Sequence, residues 1–374
     1  MPRKSRSIAD RMRLLDASGI RKVFDLAAKM KDPINLSIGQ PDFDVPEHLK
    51  QAAIDAIRSG RNQSTQTQGT EELRAAVAEQ CRKEFGWTDD RPCLITSGTS
   101  GALLLAVLTT VNPGDEVIFL DPYFVMYKHL VNLVGGVPVA VDTYPDFRPD
   151  AQKIADAVTD KTRLLIINSP LNPTGAVFTE RELRDIAAVA ARRDLLVISD
   201  EVYNAFCYDQ PFVSLAGLHE NTLLMRGFSK SYAMTGWRMG WVTGPKAIVE
   251  KMTMLQQYTF VCAPSIAQAA GPAALKTNMS AQAAAYKRKR DMVYQALGPA
   301  TGLVKPGGAF YAFVPAPGGD AAAFVEKAIA NNVLVIPGSV FSARNTHFRL
   351  SYATSDDKLA NGLEVLVRLS GQSS

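Results

Sequence analysis

Seven short apolar runs between residues 93 and 244 constrain the fold of this chain more than any other feature. Each run is apolar almost throughout and does not alternate with polar residues, which is typical of strands buried on both faces. Helix-like segments, such as 101–111, 150–158 and 179–193, separate the runs. This β-α-β order predicts an α/β fold with a mostly parallel, doubly wound central sheet covered by helices. The predicted strands are CLITS (93–97), EVIFL (116–120), VPVAV (137–141), RLLIIN (163–168), DLLVIS (194–199), NTLLMR (221–226) and MGWVTG (239–244).

The sequence changes in character after about residue 260. A long Ala-rich helical region at 264–297 precedes short strand and helix patterns, which predicts a smaller α+β domain. We therefore expect a large α/β domain over residues 45–262 and a small domain built from residues 1–44 and 263–374. The other elements predicted for the small domain are an N-terminal helix and the turn GQPDF, strands in GGAFYAFVP, VLVIPG and HFRLSYA, a helix near 320–331 and a terminal helix.

Composition and charge limit the classes of function. The 374 residues are 47% apolar and 21% charged, which is typical of a globular protein and not of a disordered one. The net charge of +4 is small for this length, so neither a nucleic acid nor a membrane surface is expected as a partner. The one dense basic run, YKRKR at 286–290, is predicted to lie on the solvated face of a helix.

Cysteine spacing and the N-terminus favour a cytoplasmic protein. The four cysteines lack the close spacing of a zinc site or a disulfide framework. The N-terminal MPRKSRSIADRMRLL is basic without the apolar core of a secretory signal, and no apolar run reaches the ~20 residues that cross a bilayer. We therefore expect a reducing compartment, no metal site and no membrane span. The cysteines are Cys81, Cys93, Cys207 and Cys262.

Polar and aromatic residues follow five of the predicted strands. In an open parallel sheet, ligands bind outside the carboxyl ends of the strands, so these segments are expected to meet at one edge. Their variety predicts a ligand with several chemically distinct parts. The segments are SGTSGAL, DPYFVMY, SPLNPTG, DEVY and GFSKSYAMTGWRMG.

The first of these segments is a candidate anion site. Gly98, Thr99 and Ser100 open a helix, where backbone N–H groups and hydroxyls can hold a phosphate. A simple turn and helix cap would give the same local pattern. Arg238 adds a guanidinium that can bind a phosphate with two hydrogen bonds.

Asp200 and Lys230 complete the candidate site. Asp200 ends an apolar strand, where a carboxylate fits either a counter-charge to a protonated ring nitrogen or a structural cap of the next turn. Lys230 is flanked by small polar residues after a buried strand, where a desolvated lysine can form a Schiff base with a carbonyl. Phe124 or Tyr123 offers an aromatic face. A carbonyl, a phosphate, a ring nitrogen and a stacking surface together predict pyridoxal 5′-phosphate.

The ordered motifs of the chain resemble the fold-type I, class I/II aminotransferases, and within them the aspartate, aromatic and broad-specificity subgroup. The resemblance covers nearly the whole chain, and an ordered set is far more specific than a single motif. It implies the fold-type I architecture for the predicted sheet. The matching motifs are SGIRKVFDLA, INLSIGQPDF, NSPLNPTGAVF, VISDEVY, GFSKSYAMTGWRMGW and FRLSYATS.

The resemblance implies a role for each residue that reacts with or holds the cofactor ring. Lys230 forms the covalent aldimine with pyridoxal 5′-phosphate and moves the substrate proton. Asp200 pairs with the pyridine nitrogen. Tyr203 and Asn172 bind the phenolic oxygen of the ring, and Asn172 also borders the substrate. Phe124 stacks on the ring.

The resemblance also implies how phosphate and substrate are bound. Arg238 and the loop of Gly98, Thr99 and Ser100 hold the phosphate. Arg349 binds the α-carboxylate of the substrate, and Gly39 lines the same side of the pocket. The sequence alone, without the resemblance, would favour an exposed position on a strand for Arg349.

The polar run RNQSTQTQG, residues 61–69, departs from the family pattern. Relatives usually carry a tyrosine five residues before the matching glycine, and it reaches the cofactor phosphate of the partner subunit in a homodimer. This chain has Ser64 at that position. We expect Ser64 to lie at the dimer interface near the partner's cofactor. Thr70 is predicted to cap the helix that follows.

The resemblance implies transfer of an amino group from an L-amino acid, in the aspartate, aromatic or broad range, to a 2-oxo acid such as 2-oxoglutarate. The same residues would also serve a β-eliminating lyase or a cyclising synthase, because a fold alone does not determine the reaction. A non-catalytic regulator that binds the cofactor is a further alternative. The identity of the amino donor cannot be read from these motifs.

Overall fold

The computed structural model describes residues 8–16, 19, 23, 28, 30–87 and 91–371. Most of the predicted N-terminal helix lies outside these residues. Within them, a 3₁₀ helix at Asp10–Leu14 precedes the first strand.

A seven-stranded sheet forms the centre of the molecule, with strand order β2-β8-β7-β6-β5-β3-β4. Five adjacent strands, from β4 to β7, are parallel, whereas β8 is antiparallel to both of its neighbours. The prediction of a mostly parallel, doubly wound sheet is therefore confirmed. The strands are β2 (Cys93–Ser97), β3 (Glu116–Asp121), β4 (Val137–Asp142), β5 (Thr162–Asn168), β6 (Leu196–Asp200), β7 (Thr222–Gly227) and β8 (Met239–Thr243).

Both faces of this sheet are buried. Ile118 and Leu165 belong to an apolar cluster on one face, whereas their neighbours Val117 and Leu164 belong to a cluster on the other. Burial of each such side chain contributes about 1.5–3 kcal/mol, which explains why the strands read as continuous apolar runs.

Helices cover the sheet, and their ends follow the capping rules. The Thr70 side chain accepts a hydrogen bond from Leu73 N, as predicted. Thr179 and Glu182 form a reciprocal capping box at the start of another helix. Between residues 30 and 257, the α-helices of the described part of the chain are Glu47–Arg58, Glu71–Phe85, Gly98–Thr110, Met126–Leu133, Ala151–Ala157, Glu180–Arg192, Phe228–Ser231 and Lys246–Gln257.

The later part of the chain forms a separate three-stranded antiparallel sheet with order β11-β12-β9. A short strand near the N-terminus, β1 (Ile34–Asn35), pairs with β10 (Val333–Leu334) and so joins the two ends of the chain. The predicted domain bounds are compatible with this pairing and stay a prediction. The other strands are β9 (Tyr311–Pro315), β11 (Ile336–Pro337) and β12 (His347–Ser351); the helices are Ser265–Ala274, Ser280–Thr301, Ala321–Ala330 and Asp356–Gly371.

The Ala-rich region at 264–297 contains two helices, Ser265–Ala274 and Ser280–Thr301. A turn separates them, in which the Asn278 side chain accepts a hydrogen bond from Ser280 N. The region is helical as predicted but not continuous.

The prediction that YKRKR at 286–290 is a solvated face holds for Arg288, which is exposed, and is wrong for Tyr286, Lys289 and Arg290, which are buried. Lys289 and Arg290 are buried on the helix Ser280–Thr301. Arg290 pairs with Asp209 at 2.7 Å, and Lys289 pairs with Asp42 near the N-terminus. Two acidic residues that are distant in sequence, together with the adjacent Asp291 at 2.7 Å from Arg290 Nε, neutralise these charges, so this side of the run packs against the protein.

Candidate active site

A cavity of about 460 Å³ opens at the carboxyl ends of β2, β5, β6 and β7. Chain connectivity brings the polar segments after these strands to one place, as the topology predicts. Gly98 lies beside the cavity under Arg238. The predicted site residues that line the cavity are Gly39, Thr99, Ser100, Phe124, Asn172, Asp200, Tyr203, Lys230, Arg238 and Arg349.

One corner of the cavity is built to hold an anion. Arg238 directly precedes β8 in a left-handed conformation (φ 52°), and this places its guanidinium over Gly98. A Cβ on Gly98 would lie 2.6 Å from Arg238 Nη2 and the residue has a φ of 67°, so another residue here would be strained and would displace the guanidinium. Thr99 Oγ1 is buried without a hydrogen-bond partner among the described residues. With the N-terminus of the helix Gly98–Thr110, these groups supply donors for a phosphate.

Asp200 is the last residue of β6 and is buried at the back of the cavity. Burial raises the pKa of its carboxyl group to about 6. The Tyr127 hydroxyl donates a hydrogen bond to Asp200 Oδ2 at 2.7 Å and opposes this rise, with a weaker contribution from Val202 N. The carboxylate therefore has one strong partner and is available to a cationic group in the cavity.

Lys230 extends from the short helix after β7, and its Nζ donates a hydrogen bond to Gly39 O at 2.6 Å. Desolvation lowers the pKa of the Lys230 amine to about 8, and the nearby Arg349 and Arg238 add to the effect. About one-tenth of the amine is therefore neutral at pH 7, far more than for an ordinary lysine. Such an amine can act as a nucleophile or as a base.

Arg349 is a buried cation without a carboxylate in ion-pairing distance among the described residues. Its Nη1 donates to Asn172 Oδ1 at 3.0 Å and its Nη2 to Ser37 O at 2.8 Å. Its Nε is buried and has no partner in the described part of the chain. Two aromatic rings also contact the guanidinium, those of Tyr311 and Phe341. A buried guanidinium with an unused donor is suited to a carboxylate ligand.

The aromatic residues of the site divide into a cavity group and a core group. Phe124 lines the cavity, whereas Tyr123 packs edge-on against Phe119 in the core. Of the two residues predicted to stack on the cofactor ring, Phe124 is therefore the one that borders the cavity. Tyr203 also lines the cavity, and its hydroxyl lies 2.9 Å from the Tyr311 hydroxyl.

Ser64 does not line this cavity and is exposed. The polar run around it is held by two buried glutamines. Gln256 donates to Thr67 O at 2.6 Å, and Gln268 donates to Thr65 Oγ1 at 3.0 Å. The run therefore has a defined path despite its lack of apolar residues. The expected contact of Ser64 with a partner subunit stays a prediction.

Two cavity neighbours were not identified from the sequence. Tyr127 lies in DPYFVMY, the segment after β3, three residues beyond Phe124, so the same strand-end rule could have found it. Tyr311 begins β9, far along the chain from the strand ends of the central sheet. No local pattern marks it, because only the tertiary structure brings it to Tyr203 and Arg349.

The described residues show neither a metal-binding cluster nor a membrane-spanning helix. No group of three or more His, Cys, Asp or Glu side chains that could hold a metal ion occurs among the described residues. In the same part of the chain, no helix is long and apolar enough to cross a membrane. All four cysteines are free.

Comparison with known proteins adds independent information about the chain. A family model described as aminotransferase class I and II matches residues 31–366. The chain is 41% identical to aromatic-amino-acid aminotransferase 2 of Thermococcus litoralis, over 96% of this chain and 97% of that protein. It is 40% identical to the aspartate aminotransferase of Pyrococcus abyssi, with the same coverage. The aspartate aminotransferase of Thermus thermophilus with maleate superposes with a TM-score of 0.92 at 36% identity, covering 97% of this chain and 100% of that one.

Proposed function

The chain belongs to the class I and II aminotransferases, and from this we propose that it uses pyridoxal 5′-phosphate to transfer amino groups. The amino donor is an L-amino acid of the aspartate, aromatic or broader range, and the acceptor is a 2-oxo acid, with 2-oxoglutarate the expected one. One observation carries the proposal: a single cavity holds a lysine of lowered pKa, a buried aspartate and an anion-binding corner.

The residues of the cavity fit pyridoxal 5′-phosphate. Thr99 Oγ1 lacks a partner among the described residues, and the Arg238 guanidinium lies close to Gly98 at the same corner of the cavity, so both groups can donate to a phosphate. Asp200 offers a carboxylate for the ring nitrogen, and Phe124 offers a face for the ring. Each part of the cofactor thus has a complementary group.

When bound, pyridoxal 5′-phosphate supplies a carbonyl that condenses with amines and a protonated ring that withdraws electrons. Asp200 keeps the ring nitrogen protonated, because an ionised carboxylate in a buried site strongly favours a cation. Lys230 Nζ would be the amine that holds the cofactor, and its lowered pKa would suit it to take a proton from the Cα atom of the substrate. Tyr203 donates its hydroxyl proton to the ring oxygen, and Asn172 adds an amide donor.

Arg349 binds the α-carboxylate of the amino acid and of the oxo acid. Its unpaired Nε and its two aromatic neighbours support this role. Gly39 lines the same cavity, and a side chain there would collide with the Tyr311 hydroxyl. The cations that line the cavity among the described residues are Lys230, Arg238 and Arg349, and each already has a role. The remaining wall of the cavity is uncharged, so it suits a substrate with an apolar or aromatic side chain at least as well as one with a side-chain carboxylate. This wall contains Ile38, Gln40, Leu103, Val125 and Thr235.

The enzyme is further proposed to work as a homodimer. Tyr258 and Val261 are exposed apolar residues in the segment after the helix Lys246–Gln257, and Met254 is exposed on that helix. Exposed apolar groups that lie close together are typical of a subunit interface. The polar run that contains Ser64 would then reach the partner's site. The four free cysteines favour a reducing, cytoplasmic location.

The proposal is tested by incubating the purified chain with pyridoxal 5′-phosphate and a panel of amino acids. The panel contains aspartate, alanine, tyrosine, phenylalanine, kynurenine and methionine, each with and without 2-oxoglutarate. An absorbance band of the bound cofactor and glutamate formation that requires the oxo acid are expected. Ammonia release without an oxo acid would instead identify a lyase. A chain that binds no cofactor would overturn the proposal.

A further inference from the structure

Tyr311 contacts two functional groups of the cavity through different parts of its side chain. The Arg349 guanidinium lies over its ring, with Cζ 4.5 Å from the ring centroid. The Phe341 ring lies 4.7 Å from the same guanidinium carbon. An aromatic face attracts a cation, and the attraction is stronger when the cation is desolvated, as it is here. The two rings thus restrict the plane of a guanidinium that has no carboxylate partner among the described residues.

The hydroxyl of Tyr311 makes a separate contact, 2.9 Å from the Tyr203 hydroxyl. The two rings meet nearly at right angles, with an interplanar angle of 85°. Each phenol carries one proton to donate. If Tyr203 donates its proton into the cavity, Tyr311 must be the donor in the bond between them. The direction of this bond therefore decides whether Tyr203 can act on a ligand.

Gly39 holds the Tyr311 hydroxyl in place from the other side. A Cβ at residue 39 would collide with that hydroxyl oxygen, so the backbone packs directly against it. The Gly39 carbonyl also accepts the hydrogen bond of Lys230. Tyr311 is buried, and its own freedom to move is small. It therefore connects the proposed carboxylate-binding residue to the proposed donor for the cofactor ring.

We propose that Tyr311 is a positioning residue with two separable roles: its ring orients Arg349 for the substrate carboxylate, and its hydroxyl directs the Tyr203 proton toward the cofactor. This inference rests on the proposed aminotransferase function. It assigns substrate affinity to the ring and the protonation behaviour of the bound cofactor to the hydroxyl. Because one substitution removes the hydroxyl alone, the two roles can be measured independently.

The test compares four variants of the full chain loaded with cofactor. Tyr311→Phe retains the ring and removes the hydroxyl. Tyr311→Leu removes both, and Phe341→Leu removes only the second ring on Arg349. Tyr352→Phe is the control, since it deletes another buried tyrosine hydroxyl, one that donates to Ala309 O and does not line the cavity.

Two quantities are measured for each variant: KM for the amino and oxo acids, and the apparent pKa of the cofactor absorbance in the absence of substrate. Tyr311→Phe is expected to raise that pKa by roughly 0.5 unit, because a weaker Tyr203 donor stabilises the deprotonated ring oxygen less, with KM within about twofold of wild type. Tyr311→Leu is expected to raise KM roughly tenfold in addition. Phe341→Leu should raise KM without shifting the absorbance, and Tyr352→Phe should change neither.

Parallel changes of KM and absorbance in Tyr311→Phe would overturn the separation of roles, and so would an unchanged absorbance pKa in that variant. If Tyr311→Leu does not fold, Phe341→Leu still tests the orientation of Arg349, and an unaltered KM there contradicts it. Failure of the proposed function would look different, because the wild-type chain would then show no cofactor absorbance or no transamination.

Discussion

Removal of the Tyr127 hydroxyl should move the pH range in which the protein binds its cofactor. The substitution Tyr127→Phe deletes the 2.7 Å hydrogen bond to Asp200 and leaves the ring in the core. A hydrogen bond to a charged group contributes about 1.5–3 kcal/mol. This corresponds to roughly one to two pKa units. The pKa of Asp200, about 6 in the protein without cofactor, is therefore expected to rise by that amount.

Cofactor binding should weaken at neutral pH, because it requires Asp200 to be negatively charged. Below its pKa, Asp200 is neutral and cannot pair with a protonated ring nitrogen. At pH 7 the ionised fraction falls from about nine-tenths to between one-half and one-tenth, so the cofactor should bind roughly two- to tenfold more weakly. At pH 9 the carboxyl is ionised in both proteins, and the two affinities should converge. The titration of Lys230 is common to both proteins and cancels in the ratio.

The assay is a titration of each protein with pyridoxal 5′-phosphate between pH 6 and pH 9, followed by absorbance. Tyr123→Phe is a matched control, because this neighbouring tyrosine packs against Phe119, and burial and then Asp121 raise its pKa without a contribution from Asp200. A ratio of dissociation constants that stays the same at every pH would refute the reasoning. Equal affinities of Tyr127→Phe and wild type at pH 7 would refute it as well.

Three further substitutions test other parts of the site. Gly98→Ala should weaken cofactor binding roughly tenfold, because the new Cβ would lie 2.6 Å from Arg238 Nη2 and would push the guanidinium away. Gly86→Ala is the control: it has the same backbone strain, but its Cβ would meet no other atom. It should leave the dissociation constant unchanged in the same titration. Arg349→Lys should raise KM for both substrates roughly 100-fold with a smaller change in kcat, because a lysine cannot make two hydrogen bonds to one carboxylate. A fall in kcat as large as the rise in KM would contradict a binding role. Ser64→Tyr should tighten cofactor binding if residue 64 reaches the partner's phosphate, and an unchanged dissociation constant would place it elsewhere.

The strands and their polar ends could be predicted from the sequence because the information is local. A continuous apolar run causes a strand to be buried and can be recognised in the sequence itself. Asp200 and Lys230 lie at the ends of such runs, so their positions could be predicted. Chain topology then brings the ends of parallel strands to one edge without any knowledge of side-chain contacts. The anion-binding corner was found in the same way.

The carboxylate side of the cavity could not be derived from local patterns. Arg349 and Gly39 are far apart in sequence, and only the resemblance to a family indicated them. The structure joins their segments through long-range backbone pairs, such as Ser351 N to Leu36 O at 2.7 Å. Tyr311 was missed for the same reason, because its role depends entirely on contacts with distant residues.

The error at YKRKR has a related cause. Charge runs are solvated on average, and the sequence directly beside Lys289 and Arg290 offers one acidic partner, Asp291, which contacts Arg290 Nε at 2.7 Å. Burial was decided by Asp42 and Asp209, which lie far away in sequence. A buried cation is stable only when such partners are present, and their positions depend on the tertiary fold.

The central claim is that Lys230 is the amine that holds the cofactor and moves the substrate proton. The most direct test mixes wild type or Lys230→Ala, each loaded with pyridoxal 5′-phosphate, with one amino acid and no oxo acid. The wild type is expected to convert about one equivalent of amino acid per site to oxo acid, with loss of the cofactor's original absorbance band. Lys230→Ala is expected to retain bound cofactor and to form no oxo acid on that timescale. Conversion by Lys230→Ala at the wild-type rate would contradict the claim.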